Sequence, residues 1–162
     1  MSNIYVDTLT KIKEILVADS WITTNFENPS RDIYIYDKEA PSEIQPCIEL
    51  HIAEDPIDFF ATSKWKHTVA INVVIMQKIY DIEEAAIGTS SGKIGIYELA
   101  YQVWKILSKK TTMEMAIGTG QMLISKPMRI TFATGSYEFQ GRIYFLKVAT
   151  IGLYVEILEN IE

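Results

Sequence analysis

One cysteine, two histidines and five prolines are all that 162 residues contain of these types. The lone Cys47 excludes an intrachain disulfide and any zinc site built from several cysteines, and a reducing compartment is its simplest setting. No uninterrupted run of 18 apolar residues occurs, so no segment has the length of a membrane-spanning helix. The opening seven residues carry no basic stretch, no long apolar stretch and no small-residue cleavage site, which predicts a chain that stays in the cytosol unless something else exports it. Eight glycines and five prolines without a period exclude a collagen. With 48% apolar and 22% charged residues, a disordered chain and a coiled coil are excluded as well.

What is present favours a sheet. Isoleucine occurs 25 times, threonine 13 times and tyrosine nine times, and β-branched and aromatic side chains suit a pleated, half-buried surface. The length fits one domain, and a chain of this size buries roughly 70% of its unfolded surface, enough for a core without cross-links. The net charge is −6, unevenly placed. Residues 1–60 hold 12 acids and four bases, residues 61–154 hold six acids and 11 bases, and residues 155–162 add three acids. Folding either evens out this scatter or leaves an acidic and a basic face suited to head-to-tail association. Overall acidity argues against a grip on nucleic acid through phosphate neutralisation.

The periodicities predict an α+β fold, a mixed and mainly antiparallel sheet packed against two helices in the order α-β-β-β-α-β-β. Asn3 to Ala18 reads as a helix on Tyr5, Leu9, Ile12 and Leu16, stopped by Asp19-Ser20, with Trp21 and Ile22 folding back as a short turn. Four prolines between residues 29 and 56 punctuate strands at Asp32 to Tyr36 and Cys47 to Ile52. Glu54 to Asp58 reads as a turn, and Phe59-Phe60 fit no pattern. Trp65 to Met76 is the strongest strand of the first half, with Trp65, His67, Val69, Ile71, Val73 and Ile75 on one face. Tyr80 to Gly92 loses periodicity and reads as a long mobile loop, within one domain spanning the whole chain. Lys93 to Lys109 is the clearest helix, its core face Ile96, Leu99, Val103, Ile106 and Leu107. Tyr97, Tyr101 and Trp104 add an aromatic stripe, to be packed in the core or against a neighbouring subunit. Gln121 to Ala133 and Gly141 to Ile157 are long strands joined by Thr134-Gly135-Ser136 and the turn residues that follow. The last is apolar on both faces, Tyr144, Leu146 and Val148 lying on the second, and Gly152 suggests a bulge.

Chemistry is sparse. Gly88 to Lys93 has three residues between its glycines where a phosphate-binding loop needs four, and Ile94 stands where a magnesium-binding hydroxyl belongs. His51 and His67 lie 16 residues apart, without metal-ligand spacing. His67 sits on an apolar strand face and reads as structural. Cys47 reads as a buried, inert thiol. Glu54, Asp55 and Asp58 form an acidic turn around Pro56. No catalytic, cofactor or metal residue is assigned, and an enzyme is not expected.

In size, acidity and element order, the chain resembles the tail terminator (tail completion) proteins of tailed bacteriophages. The resemblance rests on the Ile4 to Leu16 helix, the Trp65 to Met76 strand, the Ile94 to Leu107 helix and the Arg142 to Ile157 strand. It implies a virion protein of the tail and neck, assembled in the host cytoplasm as a six-fold ring. Such a ring caps the tail tube, ends its polymerisation and meets the head-side connector, while DNA passes the lumen without specific binding. Tyr97, Tyr101, Trp104, Tyr144, Leu146 and Val148 are then the expected subunit interface. Tyr80, Asp81, Ile82, Glu83, Glu84 and Ile87 are expected to order on docking to a neighbouring ring. Another neck or head–tail connector protein, or a small ligand-binding α+β domain, are the alternatives.

Overall fold

The computed structural model describes residues 3–35, 46–79, 82–88, 92–123 and 129–160. The expected strand end Tyr36, the loop residues Tyr80 and Asp81, the Thr89 to Ser91 part of the hinge and the stretch 124–128 lie outside them.

Helix α1 (Ile4–Val17) starts where Asn3 Oδ1 accepts hydrogen bonds from the backbone N–H groups of Tyr5 and Val6, at 3.0 and 2.9 Å. The Trp21-Ile22 turn is a six-residue helix, α2 (Ser20–Asn25), because Asp19 caps it through a 2.8 Å bond from Trp21 N–H. A third short helix, α3 (Pro29–Asp32), leads into β1 (Ile33–Ile35). Its Asp32 carboxylate is buried, paired with Arg31 Nε at 3.0 Å and accepting from Asn28 N–H at 2.9 Å. Strand β1 runs parallel to β2 (Cys47–Glu54). Phe59 and Phe60 belong to β3 (Ile57–Ala61), which turns through Thr62 and Ser63 into β4 (Lys64–Lys78), so the acidic turn is only Asp55 and Pro56.

The segment expected to be a loop contains α4 (Ile82–Ile87), with Glu83 and Glu84 in its first turn and Ala85 buried. It forms because Gly88, at φ +83, ends it with a 2.8 Å N–H bond to Glu84 O and turns the chain back. Helix α5 is Ile96–Ser108, capped by Gly95, so Gly92 and Lys93 do not open it. An unforeseen hairpin follows, β5 (Thr112–Met115) and β6 (Gly118–Met122). The expected strand from Gln121 to Ala133 is therefore two elements, the end of β6 and the start of β7 (Arg129–Phe139). Thr134-Gly135-Ser136 is not a turn; it pairs with Lys147, Leu146 and Phe145 of β8 (Arg142–Asn160). The turn is Gln140-Gly141, both at positive φ (50° and 72°), as a two-residue hairpin loop requires. Gly152 makes no bulge either. It pairs in unbroken register with Asn72 on one side and Arg129 on the other, and Ala149, Ile151, Leu153, Val155 and Ile157 keep one parity throughout.

The sheet is mixed and mainly antiparallel, in the order β1-β2-β4-β8-β6-β5, with β3 on β4 and β7 on β8. Its spine is the ladder from Lys64↔Asn160 to Lys78↔Leu146, roughly 45 Å long at strand rise. Ile48, Leu50, Val69, Ile71, Val73, Ile75, Ile151 and Val155 are buried on one face under α1 and α5. Those helices have 14 and 13 residues, roughly 20 Å each, less than half the length of the spine, so they cannot cover all of it. That mismatch of length decides where apolar side chains stay in water.

Candidate functional site

The expected interface residues divide between the two faces of the sheet. Tyr97 and Tyr101 are half-exposed on α5, on the helix-bearing face. Tyr97 meets Phe132 of β7 edge-on, with ring centroids 4.9 Å apart. Trp104 does not continue their stripe outward; it is half-buried against the core, its ring 5.9 Å from that of Tyr101. Tyr144, Leu146 and Val148 lie on the other face, since Leu146 and Val148 pair with Lys78 and Met76, out of phase with the buried Ala149 and Ile151. The Lys78 ammonium sits 4.1 Å from the Tyr144 ring centre.

Of the docking candidates, Glu83, Glu84 and Ile87 lie on α4, packed on α5, with Glu83 and Ile87 exposed and Glu84 3.7 Å from Lys93. The Ile82 backbone belongs to the same helix, while Tyr80 and Asp81 are outside the described residues. The segment is anchored at both sides: Ile79 N–H reaches Phe145 O at 2.8 Å, and Gly88 crosses Gly95 backbone to backbone.

Two surfaces were missed. At one end of the spine, the β3–β4 hairpin exposes Phe59 (65%) and Phe60 (57%), with Trp65 edge-on to Phe59 at 5.6 Å. At the other, the β7–β8 hairpin outruns β4 and exposes Ile143 (66%) and Phe145 (57%). Adjacent phenylalanines at 59 and 60 held the signal, because neighbours in a strand point to opposite faces and both cannot enter one core. Exposed apolar clusters of this kind mark contact surfaces.

A buried polar cluster lies between the first surface and α1. His67 projects from β4 toward the helix face; its Nδ1 is 2.6 Å from Asp55 Oδ2 and its Nε2 is 2.9 Å from Glu159 Oε2. Asp55 Oδ1 accepts from Thr68 N–H at 3.1 Å, and Oδ2 also accepts from the Tyr5 hydroxyl at 2.9 Å. Both ring nitrogens of His67 thus have a carboxylate oxygen within hydrogen-bond distance. The hydrogen bond to Asp55 is the main cause that raises the Tyr5 hydroxyl pKa, followed by burial and the negative charges of Asp55 and Glu159. The cluster ties α1, the β2–β3 turn, β4 and the end of β8 together. The sequence pattern that put His67 on an apolar strand face did not foresee these partners.

His51 faces the other side of the sheet, 3.0 Å from Glu49 and 3.3 Å from the Asn72 amide, so the two histidines do not converge. Cys47 is buried, and burial pushes its thiol up to about 12, a hydrogen bond with Tyr34 working the other way and Asp32 and Glu49 adding to the rise. Folded protein should resist iodoacetamide at pH 8 and react fully once unfolded in urea. The unfolded thiol loses its proton near pH 8.5–9 while the folded one keeps it to about 12, so stability should fall as pH rises through that window. The raised Tyr5 acts in the same direction above about pH 10. A urea midpoint at pH 10.5 no lower than at pH 7.5 would contradict this.

A cavity of about 390 Å³ opens where the ends of α2 and β4 meet α4 and the start of α5, lined by Asn25, Gln77, Lys78, Glu84 and Lys93 among others. Gln77 Nε2 donates to Ile94 O at 2.6 Å, while its buried Oε1 has no partner among the described residues. No protein-family model matches the chain, and no curated protein matches it either.

Proposed function

We propose that the chain is a tail-terminator protein of a tailed bacteriophage, a structural virion component rather than an enzyme. Copies assemble into a six-fold ring that caps the tail tube, ends its polymerisation and joins the tail to the head-side connector. The observation that carries this reading is the exposed apolar surface on two projecting hairpins, Phe59 and Phe60 on one and Ile143 and Phe145 on the other. Such groups are costly to leave in water, at roughly 25 cal/mol per Å² of apolar area, and contact with further copies removes that cost. The net charge of −6 fits a lumen along which DNA slides instead of adhering.

The ring is tested by light scattering coupled to gel filtration, where six copies of 18.5 kDa give about 111 kDa. Electron microscopy of tubes grown with and without the protein adds the capping readout: uniform tube lengths with a ring at one end are expected. A monomer in solution that also fails to appear at tube ends would sink the reading.

The cavity beside Gln77 favours a second reading, a small ligand-binding domain, through a buried amide oxygen without a partner among the described residues. On that reading the protein is a monomer, and Gln77→Leu abolishes ligand binding without affecting tube length.

A further inference from the structure

The two exposed clusters differ in charge as well as position. Around the β3–β4 hairpin, Glu54, Asp58, Glu156 and Glu159 outnumber Lys64 and Lys66, four acids to two lysines, with Asp55 buried against His67. The β7–β8 hairpin reverses this among the described residues, with Arg142, Lys147 and the adjoining Lys78 against Glu138. The two lie at opposite ends of a spine roughly 45 Å long, so no single copy brings them together. Part of each apolar group, Phe60 excepted, nevertheless faces the same side of the sheet. Phe59 and Trp65 share the side of His67, while Phe145 and Ile143 share that of Ala149 and Ile151, beyond the reach of α5.

From this pairing we infer that copies of the chain associate head to tail, the acidic β3–β4 end of one against the basic β7–β8 end of the next. The occupant of each end is thus a second copy of this chain. Each end is apolar at its centre and charged around it, the arrangement of a protein interface with a desolvated core and a polar rim. Like ends repel and unlike ends attract, so orientation follows from charge and adhesion from the phenylalanines. An interface between two different surfaces is heterologous; it closes into a ring when the rotation per copy allows and otherwise grows into a filament. This deepens the ring reading by naming its contact, and it stands apart from it because the same contact also builds an open chain.

Cross-linking between positions at the two ends tests the contact. Thr62→Cys and Ser136→Cys place thiols beside the two clusters at exposed polar sites, and the buried Cys47 stays in place with the parent chain as control. Each variant alone, treated with a short bis-maleimide, should give little cross-linked product. An equal mixture should give a dimer whose linked peptides join 62 to 136, and that dimer should diminish as salt is raised toward 1 M. In the doubly substituted chain the ladder should stop at six copies. A ladder that runs on without a stop keeps the contact and removes the ring. A six-fold ring in the microscope whose links join 62 to 62, join 136 to 136 or are missing removes the contact and keeps the ring. A monomer at millimolar concentration with no links in the mixture overturns the inference outright.

Discussion

Replacing His67 by alanine is expected to cost about 3–5 kcal/mol of folding stability, the range for leaving a buried carboxylate without its partner. The Asp55 carboxylate would stay under α1 with only the Tyr5 hydroxyl and the Thr68 N–H to hold it, and the side chain is 6% exposed. Glu159 is a third exposed and can turn to water, so Glu159→Gln should cost far less, about 1 kcal/mol or below. His67→Ala combined with Asp55→Ala should be less harmful than the sum of the two single changes, since the stranded charge is then gone. Urea unfolding of the four variants at pH 7 checks this. A loss under 1 kcal/mol for His67→Ala, or strict additivity in the double variant, would show that the cluster contributes little.

The second large effect is expected at Gly95. A Cβ there would run into the carbonyl oxygen of Ala86 and the backbone nitrogen of Gly88, neither of which can rotate away. Accommodating it means lifting α4 off the start of α5, at about 2–4 kcal/mol, the upper end for overpacked sites. Because Gly95 also caps α5, Gly95→Ala mixes lost space with a poorer cap. Gly95→Ser separates the two, since serine is the better cap and still carries the offending carbon; it too should be strongly destabilised. Gly135→Ala is the control: its new methyl would meet only Val148 Cγ2 at 3.8 Å, inside a strand, and should be neutral or mildly stabilising. Hydrogen exchange over residues 82–88 should quicken in both Gly95 variants. Full protection there, with unchanged stability, would mean that α4 does not depend on this crossing.

By itself the sequence determined the two long helices, the strands β4 and β8 and most of the core, and with them the α+β class. These follow from local periodicity: Leu9, Ile12 and Leu16 recur at helical spacing, and Val69 to Ile75 alternate as a strand must. Short elements escaped it because what makes them is contact: α4 rests on α5 and a glycine crossing, and β5–β6 leans on β8. Alternation also assigns a residue to a face without saying what covers that face. Ile143 and Phe145 share a parity with Ile151, yet they stand in water, because the 19-residue β8 extends far beyond helices that rise only 1.5 Å per residue. The partners of His67 stand 12 residues before it and 92 after it, separations that no local pattern encodes. Tertiary structure alone decided which apolar groups remained for other copies, because strand length, helix length and register had to be set against each other in space.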